Sequence, residues 1–203
     1  MSTEPNPWLA VPLEDYEGHM QDVLQLEALA ELFGEALGLS RPRSVAVLGV
    51  AGGNGLERID PAVTTRVVGV DINRAYLAKV AQRFRNLPGL ELHRVDLSSE
   101  TIAPPRVALV HAALIFEHAG TGRCLENALA LVEPGGHLSV VLQEPGEWEQ
   151  RPGGDRYTSI RSLRGGFSPI EPEWFCGLLG LEPVHRRRCP VPGGWFWLGV
   201  FRV

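Results

Sequence analysis

The stretch SVAVLGVAGGNGLE, residues 44–57, decides the fold class of this chain. Its first seven residues form an almost continuous apolar run, which is typical of a strand that is buried on both faces of a sheet. Small residues follow from Gly49 to Gly55, and they let the backbone bend sharply and come close to a ligand. The stretch therefore predicts a buried strand that runs into a ligand-binding loop.

Similar apolar runs recur along the chain and alternate with segments of helical or turn character. The runs are VVGV at 67–70, LELHRV at 90–95, VALVHAAL at 107–114 and HLSVVL at 137–142. The predicted separators are a helical turn at 54–59, a helix at 73–84, a loop near 98–105 and a helix at 121–132. Buried strands that alternate with helices predict an α/β fold with a doubly wound, mostly parallel sheet.

The segments outside this core are expected to cover it. Residues up to about Pro12 predict an extended arm, and one amphipathic helix is predicted from Glu14 to Leu37. A short helix is predicted around 172–179, and the runs 181–191 and 195–203, joined by a Pro-Gly-Gly turn, predict an antiparallel C-terminal strand pair. We expect one domain, made of an arm and helical lid (1–40), a core (44–145), a substrate-side insertion (146–169) and a closing helix and strand pair (170–203).

Composition and charge exclude several classes of protein. The 203 residues carry 24 acidic side chains against 19 Lys and Arg, and this net charge of -5 disfavours a broad nucleic-acid-binding face. No run approaches the ~20 apolar residues of a membrane span, and the opening residues do not resemble a signal peptide. Cys124, Cys176 and Cys189 lack the spacing of metal ligands. We therefore expect reduced thiols, no metal site and a cytoplasmic location.

Two aspartates stand where a doubly wound sheet binds its ligands, outside the carboxyl ends of the strands. Asp71 ends the second apolar run and Asp96 follows the third. A carboxylate at Asp71 suits the hydroxyls of a ribose and repels a 2′-phosphate. The loop glycines do not fit the G-x-G-x-x-G pattern, which disfavours a nicotinamide-binding oxidoreductase. Asp71 is also compatible with a helix N-cap before Asn73, and Asp96 with an Asx turn.

Five motifs in order resemble those of class I S-adenosylmethionine-dependent methyltransferases. They are SVAVLGVAGGNGLE, VVGVDIN, LHRVDLSS, ALVHAALIFEH and LVEPGGHLSVVLQEP, between residues 44 and 145. The resemblance implies a seven-stranded Rossmann-like methyltransferase fold, S-adenosylmethionine as cofactor and methyl transfer to a small-molecule acceptor. It also implies cofactor-binding residues, namely Gly49, Ala51 and Gly53 beside the methionine part, Asp71 and Ile72 at the ribose and adenine, Asp96 and Leu97 at the adenine, and Ala112 and Ala113 under the cofactor.

Two positions depart from the family pattern. Val47 stands where the family usually has an acid, two residues before the first glycine, and Ala51 replaces the middle glycine. We expect either a lower affinity for the cofactor or a substitute acid such as Glu57 or Glu117. The same departures favour a second hypothesis, in which the protein binds S-adenosylmethionine or S-adenosylhomocysteine and is catalytically silent.

A catalytic group is harder to recognise, because methyl transfer from a sulfonium needs mainly alignment and exclusion of water. If the acceptor must lose a proton, the candidate bases are Glu117, His118, Tyr16 and His19. Tyr16 and His19 share one face of the predicted N-terminal helix with Met20, which suits either a lid over the ligand or packing on the sheet.

Two groups of arginines raise the question of an anionic acceptor. The first group lies in the predicted insertion and the second in the last third of the chain: Arg151, Arg156, Arg161 and Arg164, then Arg186, Arg187 and Arg188. Guanidinium groups bind carboxylates and phosphates, although a charged run is also typical of a solvated face. We expect a small-molecule partner, anionic under the first interpretation, and neither a nucleic acid nor a membrane.

Overall fold

Residues 6–144, 156–161 and 163–203 are described by the structure, a computed structural model. Within these residues the chain forms one seven-stranded sheet in the order β3-β2-β1-β4-β5-β7-β6. The strands are β1 (Ser44–Leu48), β2 (Arg66–Asp71), β3 (Leu90–Arg94), β4 (Val107–Ala113), β5 (Val132–Gln143), β6 (His185–Val191) and β7 (Gly194–Arg202). Strands β1 to β5 pair in parallel, and β7 is antiparallel to both β5 and β6. The predicted sheet, mostly parallel with an antiparallel C-terminal pair, is confirmed.

Helices and short helical turns connect the strands. The helices are α1 (Leu13–Asp22), α2 (Gln25–Ser40), α3 (Arg74–Arg83), α4 (Phe116–Ala119), α5 (Arg123–Leu131), α6 (Thr158–Arg161) and α7 (Pro172–Leu179). Single 3-10 turns lie at Pro7–Ala10, Leu56–Arg58 and Arg164–Gly166. None of the helices in the described ranges combines the length and the apolar character that crossing a membrane requires.

Apolar side chains cover the sheet on both faces. On one face α2 and α3 bury residues such as Phe33 and Val80 against the strands. On the other face α5 and α7 bury residues such as Leu131 and Phe175. Each fully buried side chain of this size contributes about 1.5–3 kcal/mol of hydrophobic free energy. The central strands are apolar on both faces because both faces are covered, which is why their sequences read as continuous runs.

The prediction of one N-terminal helix is wrong, because the chain turns between α1 and α2. Leu24 has a φ of 53°, a left-handed conformation through which an α-helix does not continue. The turn places Val23 in the core at 1% exposure and leaves Leu24 at 65%. No glycine or proline marks this turn, so the pattern of apolar residues runs across it without interruption.

Two smaller boundaries also differ from expectation. The arm is not fully extended, since Pro7–Ala10 forms a 3-10 turn in which the Asn6 side chain accepts a hydrogen bond from the Trp8 N–H at 3.1 Å. Strand β5 begins at Val132, directly after α5, and so starts five residues before the predicted 137. Pro134 and the glycines after it are typical of turns, so the sequence does not predict a strand in this part of the chain.

Candidate functional site

A cavity of about 500 Å³ lies at the carboxyl ends of the parallel strands, a volume within the range of small-molecule sites. Its floor consists of residues that end or follow these strands: Gly49, Ala51, Asp71, Ile72, Val95, Asp96, Leu97, Ala113, Leu114, Ile115 and Gln143. Segments before β1 and after β5 cover it with Asn6, Trp8, Tyr16, His19, Met20, Gln25, Tyr157, Ile160, Leu163 and Phe167. The site is thus built by the sheet and closed by the N-terminal segment and by the segment between β5 and α7.

The loop after β1 brings backbone against the cavity. Gly49 has a φ of 69°, and a side chain there would meet Ile115 Cδ1 at 2.9 Å. Ala51 has a φ of 44°, in the region that favours glycine, although it carries a methyl group. The position that departs from the family pattern therefore keeps the left-handed backbone that a glycine adopts at little cost.

The carboxylate of Asp71 is fixed by the backbone on both sides. Its Oδ2 accepts a hydrogen bond from the Ala51 N–H at 2.9 Å, and its Oδ1 accepts one from the Asn73 N–H at 2.8 Å. Burial to 8% exposure raises the pKa of Asp71, and the two backbone N–H groups oppose that rise. Each oxygen has a second lone pair that can accept a hydrogen bond from a ligand. The N-cap of α3 is Asn73 and not Asp71.

Asp96 both forms a turn and lines the cavity. Its Oδ1 accepts hydrogen bonds from the Ser98 N–H at 3.0 Å and the Ser98 hydroxyl at 2.6 Å, as in an Asx turn. The turn holds Leu97 against the cavity as a buried apolar side chain. The two interpretations of Asp96 are therefore compatible with each other.

Helix α3 holds the N-terminal segment over the cavity. The Asn73 side-chain amide donates to the Trp8 carbonyl at 3.0 Å, and the Tyr76 hydroxyl donates to the Val11 carbonyl at 2.9 Å. Arg83 forms an ion pair with Glu17 of α1, with 2.8 Å between Nη2 and Oε2. The Arg83 Nη1 also donates to the Gly52 carbonyl at 3.1 Å. We refer to residues 6–22, which these contacts hold in place, as the cover.

Aromatic rings form the wall where the cover meets the end of β4. The Trp8 ring packs edge-on against His118, at 4.9 Å between centroids, and against Tyr16 at 5.6 Å. Phe167 packs on the other side of His118, at 5.2 Å. Burial lowers the pKa of His118 to about 4, so its imidazole is neutral near pH 7. Burial and the nearby Asp71 raise the pKa of Tyr16, which keeps its hydroxyl protonated.

Glu117 lies behind this wall and does not line the cavity. It is 1% exposed, and its Oε1 accepts a hydrogen bond from the Gln143 backbone N–H at 2.8 Å. Its Oε2 has no hydrogen-bond partner among the described residues. Burial raises the pKa of Glu117 to about 7. This carboxyl group is thus placed to position the end of β5 and not to touch a ligand.

The structure brings most of the predicted site residues together. Seven of the nine predicted cofactor residues line the cavity, namely Gly49, Ala51, Asp71, Ile72, Asp96, Leu97 and Ala113. Gly53 lies farther along the loop and Ala112 is buried within β4, so neither lines the cavity. Among the candidate bases, Tyr16, His19 and His118 line it.

The two proposed substitutes for the missing acid do not reach the cavity lining. Val47 is buried in the core, and Glu57 accepts a hydrogen bond from the Gly55 N–H at 3.0 Å in its own loop. Glu117 faces Gln143 instead, as described above. Among the described residues that line the cavity, the carboxylates are Asp71 and Asp96.

The described arginines of the two groups lie away from the cavity lining. Arg156 pairs with Asp22 at 3.3 Å, and Arg187 donates to Glu35 at 2.6 Å. Arg188 pairs with Glu144 and lies 4.7 Å from the centre of the Trp195 ring. Arg161 is exposed on α6, and Arg186 lies in a separate shallow groove beside α7. Arg151 and the side chain of Arg164 lie outside the described residues.

Sequence reasoning missed two glutamines that line the cavity, Gln25 and Gln143. Gln143 stands at the end of β5, directly after the fifth apolar run, so its place at a strand end is a signal in the sequence. Gln25 begins α2 just after the turn at Leu24. Because the sequence predicts one continuous helix there, it carries no signal that this side chain faces a ligand.

Comparisons with known proteins point to one fold. No family model matches the chain, and no curated protein matches it. Among solved structures, it is similar to the N-methyltransferase NodS from Bradyrhizobium japonicum WM9 in complex with S-adenosylhomocysteine, with a TM-score of 0.63 and 20% identity over 98% of this chain and 93% of NodS. It is also similar to the methyltransferase domain of bacterial CtHen1, with a TM-score of 0.58 and 15% identity over 88% of this chain and 97% of that domain.

A third similar structure is described as a cyclase. SpnF has a TM-score of 0.59 and 19% identity, over 79% of this chain and 58% of SpnF. Taken together, these similarities show that the chain has the fold of class I S-adenosylmethionine-dependent methyltransferases.

Proposed function

We propose that this chain, which has the class I methyltransferase fold, transfers a methyl group from S-adenosylmethionine to a small-molecule acceptor. One observation carries the proposal: the Asp71 carboxylate lines the cavity, and the Ala51 N–H from the loop after β1 is one of its two backbone donors. In this fold, an acid at that position binds the two hydroxyls of a ribose.

The residues around Asp71 fit the rest of this cofactor. Ile72 and Leu97 offer apolar surface for the faces of an adenine ring. A side chain at Gly49 would push against Ile115, which also lines the cavity, so glycine at this position keeps the loop close to the methionine part without crowding the lining. Among the described residues that line the cavity there is no Lys or Arg, which suits an adenosine ligand that carries no phosphate.

Val47 makes the binding of the cofactor's ammonium group the weakest part of the fit. Neither Glu57 nor Glu117 lines the cavity, so no substitute acid from the predicted pair supports that group. We therefore propose that the affinity for the cofactor is lower than in a protein that has the acid.

The chain's own contribution to the reaction is alignment and exclusion of water. When bound, S-adenosylmethionine supplies a methyl group on a sulfonium that is already activated for in-line displacement. Trp8, Met20 and Phe167 cover the cavity with apolar surface, which keeps water from the reacting groups. Tyr16, His19 and His118 are the candidate bases that line the cavity, and burial makes the His118 imidazole a weak base by lowering its pKa to about 4.

Calorimetric titration with S-adenosylhomocysteine tests the proposal. We expect saturable binding to the wild type and an affinity about 100-fold lower for Asp71→Ala, since two hydrogen bonds to a charged group are lost. The matched control is Asp60→Ala, because Asp60 is an exposed aspartate that accepts only from its own turn. NADH should give no heat. Absence of both heat and thermal shift with the wild type, or equal affinity in Asp71→Ala, contradicts the proposal.

A second candidate is a protein that binds the cofactor and does not transfer its methyl group. Val47 and Ala51 favour it, because both depart from the pattern of the active family. A shared fold does not determine a reaction, as the description of SpnF as a cyclase illustrates. The two candidates differ in turnover: only the methyltransferase releases S-adenosylhomocysteine from S-adenosylmethionine when small acceptors are added.

A further inference from the structure

We infer that the acceptor is an uncharged, largely apolar molecule, and that Gln25 selects it by forming a hydrogen bond with its polar group. This inference rests on the proposed function, because it names the substrate class of the same cavity.

The order of the strands separates two halves of the cavity. Asp71 and Asp96 follow β2 and β3, on one side of β1. Gln143 ends β5, on the other side of β1. Helix α2, which begins at Gln25, packs against β4 and β5. The start of α2 also touches the loop after β1, since the Asn54 side-chain amide donates to the Leu26 carbonyl at 2.9 Å. Because the adenosine is assigned to the first half, Gln143 lies in the half that is left for the acceptor, and Gln25 lies between that half and the loop assigned to the methionine part.

The amide nitrogen of Gln25 is buried without a hydrogen-bond partner among the described residues. The residue is 2% exposed and lines the cavity, and its Nε2 has no hydrogen-bond partner among the described residues. Buried amides in folded proteins are nearly always paired, since leaving one unpaired costs stability. An amide left unpaired on a cavity wall is therefore expected to find its partner in the ligand. A half-turn about its last side-chain bond lets it offer either its N–H₂ or its carbonyl oxygen.

The surroundings of Gln25 favour an uncharged partner. We assign to the acceptor half the lining residues that do not follow β2 or β3, and these include the apolar or aromatic Met20, Leu114, Leu163 and Phe167. The described part of its lining contains no Lys, Arg, Asp or Glu, and burial keeps His118 neutral by lowering its pKa to about 4. A charged acceptor would lose its hydration here and gain no opposite charge from the described residues of this lining.

Three of the arginines considered for an anionic acceptor form ion pairs away from the cavity. Arg156 pairs with Asp22 on the outside of α1, and Arg187 and Arg188 pair with Glu35 and Glu144. The described arginines thus supply no positive charge to the cavity lining, and the neutral acceptor is favoured over the anionic one.

Three probes that share one ring system separate these classes of acceptor. They are 2-naphthol, 2-naphthoate and 2-naphthylmethylammonium, each titrated into protein saturated with S-adenosylhomocysteine. We expect 2-naphthol to bind at least about tenfold more tightly than either charged probe. Gln25→Met should weaken 2-naphthol about tenfold, through loss of one hydrogen bond. The matched control is Gln82→Met, at an exposed position of α3, which should leave this affinity unchanged.

Thermal unfolding of the same variants distinguishes binding from a structural role. Gln25→Met removes an unpaired buried amide, so its melting temperature without ligand should rise by about 3 °C. A glutamine that only supports the fold would give the opposite shift. If Gln25→Met does not fold, Gln25→Glu keeps the shape and should bind the ammonium probe more tightly than 2-naphthol.

Failure of this inference differs from failure of the proposed function. If S-adenosylhomocysteine does not bind, the proposed function is contradicted. If it binds but the naphthoate is the tightest probe, or no probe binds, or Gln25→Met binds 2-naphthol as the wild type does, the neutral-acceptor inference is overturned.

Discussion

Replacing Ala51 by glycine should stabilise the protein, which is unusual for a change from alanine to glycine. Ala51 has a φ of 44°, and a left-handed conformation costs a residue with a side chain about 1–2 kcal/mol relative to glycine. Glycine also lowers the stability by about 0.4–1 kcal/mol relative to alanine, because it gives the unfolded chain more conformational freedom. The net gain is about 0.5–1 kcal/mol, which in a domain of this size raises the melting temperature by about 1–4 °C.

Urea and thermal unfolding of Ala51→Gly measure this gain directly. The control is Ala62→Gly, because Ala62 is exposed and lies outside the set of residues with positive φ. The control should lose about 0.5–1 kcal/mol, as expected for glycine at an ordinary position. Because Ala51 lines the cavity, the loss of its methyl group should also tighten the binding of S-adenosylhomocysteine. A loss of stability in Ala51→Gly equal to that of Ala62→Gly refutes the reasoning about backbone strain.

Two further predictions concern Glu117 and Arg83. Burial raises the pKa of Glu117 from 4.5 to about 7, so the folded protein holds a proton that the unfolded chain releases, and stability falls as pH rises through this window. Glu117→Gln should remove at most about 3 kcal/mol of that fall, so its urea unfolding midpoint should change less between pH 5 and 8 than that of the wild type. An unchanged dependence of the midpoint on pH contradicts the raised pKa of Glu117. Arg83→Gln breaks the exposed ion pair with Glu17 and should cost less than about 1 kcal/mol of stability. It should nevertheless speed the dissociation of S-adenosylhomocysteine several-fold in stopped-flow measurements, because the cover loosens, and an unchanged rate argues against this role.

The sheet could be predicted because its signals are local. The run VAVL in β1 and the run VVGV in β2 are apolar on both faces, and each is followed by a ligand-facing loop or acid within a few residues. The position of Asp71 at a strand end followed from the same pattern. The antiparallel pair at the C-terminus was marked by its turn of proline and glycine.

The rest depends on contacts between distant parts of the chain. The turn at Leu24 goes with the packing of Val23 into the core. No glycine or proline stands at this turn, so the local sequence does not indicate it. The position of Gln25 in the cavity follows from that turn. The cover over the cavity depends on Asn73 and Tyr76 holding Trp8 and Val11 from 65 positions away in the sequence. Periodicity within a segment cannot indicate such pairings.

A crystal structure with S-adenosylhomocysteine tests the central claim most directly. We predict that both ribose hydroxyls lie within hydrogen-bonding distance of the Asp71 carboxylate, about 2.7 Å, with the adenine between Ile72 and Leu97. The sulfur should face the half of the cavity that holds Gln25 and Gln143. A ligand bound away from Asp71, or one whose sulfur faces the β3 side of the sheet, would contradict this assignment of the cavity.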